Sequence, residues 1–301
     1  MKKTLLFIAV VTLISAFTQV FAQEPAMHGP PKVLYIVRED IKPGMMDAHN
    51  KHSASFASIF RALDTPNHRI ALVPVAGSEN EVVYLTGAES FAEVEKILND
   101  TDKKMSGASG SMKAEIDRLG KEAPVLHAAM RDMLTAFRAD LSYNAGVDVR
   151  TMRYFSITTI RVRPGHDAQY ADYVQKMVNV AREKAKLDNL HIAAFQVVTG
   201  APGGTYLFFR PMKSLGELDE NMGMKMRAAM GDDMRKDADK AVSDAVMSSE
   251  TSTYWMTPAM SYLDKDFAAG DPAFWNPKPM MAKPKPKKKM VKPVAPPPPT
   301  D

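Results

Sequence analysis

Landmarks in one half of this chain return in the other, in the same order and at an almost fixed distance. Ile41-Lys42-Pro43-Gly44 closes an apolar run, Val33 to Val37, and Val162-Arg163-Pro164-Gly165 closes another, Tyr154 to Ile160, 121 positions later. Ile70-Ala71 is matched by Ile192-Ala193 and Tyr84-Leu85 by Tyr206-Leu207, both 122 positions on. Ser90-Phe91 with Glu93 answers Ser214-Leu215 with Glu217, and Ser142-Tyr143 answers Ser261-Tyr262. Self-similarity at one period is the signature of a repeated structural unit. It restricts the chain to folds built from two copies of one motif, at about 33–143 and 152–262.

Within each copy the pattern reads strand, helix, strand, strand, helices, strand. Pro-Gly ends the first strand and turns the chain into an amphipathic helix. Residues 69–76 and 81–86 flank Gly77-Ser78-Glu79-Asn80, and 191–198 and 204–210 flank a Gly/Pro segment at 200–204, both hairpin-like. Leu126, Met130, Met133, Phe137 and Leu141 have helical spacing, yet the matching stretch Ser252-Thr253-Tyr254-Trp255-Met256 is β-prone and is followed by Pro258. The partner copy decides the ambiguity, and 132–138 reads as a strand.

The strands are apolar on both faces, as in Thr205-Tyr206-Leu207-Phe208-Phe209, so both sides need cover. Helices on one side and a second sheet on the other supply it, which makes an α+β barrel. A duplicated βαββαβ unit with an apolar strand, Lys/Arg-Pro-Gly and an amphipathic helix resembles the dimeric α+β-barrel superfamily of ferredoxin-like units, including antibiotic-biosynthesis-monooxygenase-like and NIPSNAP-like domains. The resemblance implies a pseudo-dimeric barrel in one chain, with ferredoxin-like repeats at 32–144 and 151–264 and a docking segment at 265–275. The superfamily contains cofactor-free oxygenases, haem enzymes, isomerases and members without activity, so the fold alone assigns no reaction.

The ends of the chain read differently from its body. Lys2 and Lys3, the apolar run Leu5 to Phe17 and Val20-Phe21-Ala22 have the form of a cleavable export signal over residues 1–22, followed by a linker at 23–31. The expected location is therefore periplasmic or secreted, with no transmembrane segment after cleavage. There is no cysteine, hence no disulfide, thiolate metal site or lipid-modified cysteine. Residues 276–301 hold seven lysines and nine prolines and read as a disordered basic tail able to rest on an anionic envelope surface. Lys2 and Lys3 carry +2 and the tail +6 of the overall +4, which leaves 23–275 at −4 and offers no nucleic-acid face on the body.

The candidate chemistry lies on the first helix of each copy. His49 and His52 share a stripe with Phe56 and should face the sheet, and Tyr170 and Tyr173 occupy the matching places 121 positions later. With Tyr35 and Tyr84 on nearby strands, these six residues are the ligand-pocket candidates. Two imidazoles at i,i+3 can share an ion, but no acidic third ligand is assignable, so neither metal nor cofactor is expected. Met222, Met224, Met226, Met230 and Met234 on one helix read as gap-filling core residues. Without a phosphate loop or nucleophile elbow, the expectation is a non-catalytic protein binding a small apolar ligand. The alternative is a cofactor-independent oxygenase or isomerase using His49 or His52 with Tyr35 or Tyr84. A convergent polar set in the first-half pocket discriminates between them, because only the enzyme needs one.

Overall fold

The computed structural model describes residues 29–276. The export signal and all of the basic tail beyond Asn276 lie outside the described residues. The elements, in chain order, are β1 (Val33–Ile41), α1 (Met46–Leu63), β2 (Ile70–Ala76), β3 (Glu81–Ala88), α2 (Phe91–Ser106), α3 (Gly110–Leu126) and β4 (His127–Phe137). They continue as β5 (Tyr154–Val162), α4 (Asp167–Tyr173), α5 (Val180–Lys184), β6 (Ala193–Thr199), β7 (Thr205–Met212), α6 (Met222–Ala245), β8 (Val246–Met256), α7 (Lys265–Ala269) and α8 (Pro272–Trp275). A π-helical turn, Val174–Asn179, joins α4 to α5. Among the described residues, no helix is long and apolar enough to cross a membrane.

All eight strands close into one barrel in the order β1-β3-β2-β8-β5-β7-β6-β4. In the first half, β1 pairs with β3 and β4, and β2 pairs with β3; in the second, β5 pairs with β7 and β8, and β6 with β7. The β2–β8 and β4–β6 pairings join the halves and leave no free strand edge. At one of those seams Gly200, with φ +93°, lies against the Asp132 carbonyl so closely that a Cβ would collide with it.

Alternate strand residues point into the barrel, and the rest point toward the helices. Leu34, Ile36, Leu72, Val83, Leu85, Phe155, Phe195, Phe209 and Met256 form the interior core. The outward residues pack beneath the helices; in the second half Ile160, Val162, Tyr170, Val174, Tyr206 and Val246 form one such layer. This double burial is why the strands carry apolar residues on both faces. At one end of the barrel, α7 and α8 bring Phe267 and Trp275 onto the interior core, and the Trp275 indole donates to the Arg150 carbonyl.

β4 begins five residues earlier than the 132–138 strand read from the sequence, at His127. Helix α3 ends at Leu126, one residue after the pair Pro124-Val125. The Lys42 amide donates to the Leu126 carbonyl and the Lys42 ammonium to the Pro124 carbonyl, both at 2.9 Å. These contacts pin the start of β4 against the end of β1.

Candidate functional site

That junction builds a polar centre between the sheet and α1. β1 and β4 pair with Ile41 opposite His127, and a register shift falls between Asp40 and Ile41. Glu39 and Ile41 share the outward face of β1, and the shift turns His127 to the same side. Gly44, with φ +79°, reverses the chain after β1, and α1 then runs back over the sheet with Asp47 in its first turn, favourable to the helix dipole. Its buried stripe, His49, His52, Ser53, Ala57 and Phe60, therefore lies on the outward side chains of β1 and β3.

His49 is completely buried, and its Nε2 lies 2.7 Å from Glu39 Oε2. His127 Nε2 lies 3.4 Å from the same oxygen. One donor atom from each of Glu39, His49 and His127 falls within 4.8 Å of the other two. Two buried ring nitrogens, His49 Nδ1 and His127 Nε2, have no hydrogen-bond partner. Burial pushes the Glu39 carboxyl up, but the two imidazoles beside it, His127 and His49, outweigh it and hold the group down at about 2. The centre thus contains a carboxylate sandwiched between two imidazoles.

Its surroundings are also polar. The Tyr84 hydroxyl is hydrogen-bonded to Ser53 and reaches Glu39, and burial raises its pKa above that of an ordinary phenol. The Arg69 guanidinium lies 4.2 Å from the Tyr84 ring centroid and 4.8 Å from that of Phe60. Arg69 also lines a cavity of about 750 Å³ at the barrel mouth, walled by Leu34, Leu85, Phe155, Phe195 and Phe209. Tyr84 therefore touches Arg69 through its ring and the polar centre through its hydroxyl. His52 donates from Nε2 to the Leu119 carbonyl at 3.0 Å, since a carbonyl can only accept. Its ring stands 6.0 Å from that of His127.

The six residues singled out from the sequence fall in three places. His49, His52 and Tyr84 belong to the centre or its wall. Tyr35 does not join them; its hydroxyl donates to Asp132 at 2.9 Å, beside a smaller cavity under α2. Tyr170 and Tyr173 lie in the second half, with ring centroids 6.1 Å apart, near Arg182. That arginine lies among Tyr143, Tyr170 and Tyr173, and burial lowers it to about 10. The expectation that no acidic third ligand accompanies the histidines is corrected by Glu39. Sequence reasoning missed it because the carboxylate sits in a strand, ten positions before His49, where only the fold shows which face it occupies.

The second half is an internal control. Ile41 opposite His127 corresponds in pairing to Val162 opposite Val246, and both sites carry a register shift. By that register Glu39, His49 and His127 correspond to Ile160, Tyr170 and Val246, which pack in one apolar cluster. The three residues that stand in the place of Glu39, His49 and His127 carry no charge.

No protein-family model and no curated protein matches the chain. Solved structures do resemble it. An anthrone oxidase-like protein aligns over 75% of this chain and 92% of its own, at 13% identity and TM-score 0.48. A mutant chlorite dismutase from Candidatus Nitrospira defluvii aligns over 82% and 100%, at 10% identity and TM-score 0.47. At such identities the likeness concerns the barrel fold. The expectation of a non-catalytic binding protein is corrected by the chain itself: the first half holds the convergent polar set that separates the enzyme from the binding protein.

Proposed function

We propose that this chain is an enzyme of the oxygenase or isomerase class acting on a small organic substrate, with Glu39, His49 and His127 as its reactive centre and Tyr84 with Ser53 beside it. The observation that carries this reading is the convergence of three ligand-quality groups, from β1, α1 and β4, at a place where the second half uses Ile160, Tyr170 and Val246. Burying a carboxylate and two imidazoles costs stability unless they are paired, so packing alone does not favour them. Such a set can take a proton from a carbon beside a carbonyl, and the Tyr84 hydroxyl can donate to the oxygen that gains charge. In an isomerisation the proton returns to another atom of the same molecule; in an oxygenation the carbanion forms a C–O bond with dioxygen, the peroxide anion takes back the proton, and loss of water from the hydroperoxide leaves a carbonyl.

A panel of small phenols and 1,3-dicarbonyl compounds tests the proposal, followed by proton exchange in D2O and by dioxygen uptake. His49→Phe and Tyr84→Phe should each lower turnover at least about 100-fold with the far-ultraviolet circular dichroism unchanged. Turnover indifferent to both substitutions contradicts the assignment.

We further propose that the halves are a tandem pair of ferredoxin-like βαββαβ units, 32–144 and 151–264. The recurring landmarks and the shared strand order, β4-β1-β3-β2 and β8-β5-β7-β6, support this reading. Export remains a proposal that rests on residues 1–22. The intact mass of the exported protein should begin at Gln23, within a residue or two, and a full-length membrane-bound species contradicts it. The basic tail is proposed as the part that meets anionic surfaces. Deleting 276–301 should then abolish binding to anionic liposomes, and binding that survives the deletion places the contact elsewhere.

A further inference from the structure

We infer that Glu39, His49 and His127 form a mononuclear binding site for a first-row transition-metal dication. Two imidazoles and one carboxylate suit such ions, which accept nitrogen and oxygen donors and keep open positions when the protein supplies only three. Donors about 2.1 Å from an ion stand roughly 3.0–3.4 Å from one another, depending on whether the geometry is octahedral or tetrahedral. The Glu39–His49 and Glu39–His127 separations, 2.7 and 3.4 Å, bracket that range, so small side-chain adjustments admit an ion. Three secondary elements present the donors, and none of them has to move as a whole.

Two independent features point to a ligand. His127 Nε2 is buried without a hydrogen-bond partner although a carboxylate oxygen stands 3.4 Å away, and in the tautomer protonated at Nδ1 it offers a lone pair to the centre. The second half, folded with the same pairing and the same register shift, shows that the position packs well with Ile160, Tyr170 and Val246. The charged set in the first half therefore has a use beyond filling space. The other nearby groups have complementary tasks: Tyr84 reaches Glu39 and can fix its orientation, while His52 is committed to the Leu119 carbonyl. Entry would be from the side of Glu39 and His127, whose side chains are 11% and 8% exposed, whereas that of His49 is sealed.

This inference deepens the proposed enzyme function, but its test does not depend on turnover. Tag-free protein, stripped with chelator and dialysed, is titrated with Co(II), and visible d–d absorption is followed. The wild type should take up one equivalent and develop d–d bands that excess Zn(II) removes. Glu39→Gln keeps the shape of the side chain, and His127→Gln changes a residue at the rim. Each should weaken Co(II) binding at least about 100-fold while circular dichroism shows an intact fold. His191→Ala, which removes a ring bonded to the Asn144 carbonyl and not to any residue of the centre, should change nothing. A folded wild type that takes up no Co(II) or Zn(II) overturns the inference, and so does binding that neither glutamine substitution weakens. Turnover by a wild type that takes up neither Co(II) nor Zn(II) would leave the enzyme reading standing and overturn this one alone.

Discussion

Phe195→Ala should cost the fold about 3–5 kcal/mol and lower the thermal midpoint by roughly 5–10 °C for a chain of this size. Phe195 lies in β6 opposite Phe137 of β4, at the seam that joins the halves, and is 2% exposed. Its ring centroid is 5.4 Å from that of Phe137 and 5.6 Å from that of Phe209. Truncation leaves a hole at the point where the barrel closes, surrounded by strands that cannot collapse inward without breaking their pairing. Val198→Ala, on the same strand at 60% exposure, should change stability by less than about 0.5 kcal/mol. Equal effects of the two substitutions in denaturant titrations would contradict the closed-barrel account.

Zinc at a thousandfold excess over its dissociation constant should stabilise the wild type by about 4 kcal/mol, because an ion held by three elements of the folded chain binds the native state alone. The Glu39→Ala variant should show none of that gain. It should also start lower, by about 1–3 kcal/mol, since removing the carboxylate leaves His49 with neither ring nitrogen paired. A metal-dependent shift of the denaturation midpoint that is equal in both proteins would place the ion elsewhere, for example on the half-buried His166 or His191.

How far the sequence anticipates this molecule varies with the range of the interaction. The turns after β1 and β5 are legible because Pro-Gly is local chemistry, and Gly44 and Gly165 do take positive φ. The strand over 132–138 is legible only by comparison with residues 252–256, since its own apolar spacing fits a helix equally well. Its true start at His127 depends on contacts of Lys42 with the end of α3, more than eighty residues away, and no local pattern encodes them. His49 and His52 stand out because a helical stripe can be counted along the chain. Glu39 and His127 do not, because a carboxylate at the end of one strand and an imidazole at the start of another become neighbours only through β1–β4 pairing. One signal was available: at the spacing of the repeat, Glu39 meets Ile160, a charged residue where the partner copy is apolar. Tyr35 shows the same limit, since the sequence does not reveal that its hydroxyl turns to Asp132, one strand over, beside a separate cavity.

The central claim is that the first half carries a purpose-built polar centre where the second half carries packing. Native mass spectrometry after reconstitution with Zn(II) tests it most directly, comparing the wild type with the combined substitution Glu39→Ile, His49→Tyr and His127→Val, which writes the second half's residues into the first. The account predicts one retained ion in the wild type, none in the substituted protein, and a folded barrel in both. A wild type without metal, or a substituted protein that keeps its ion or fails to fold, would contradict it.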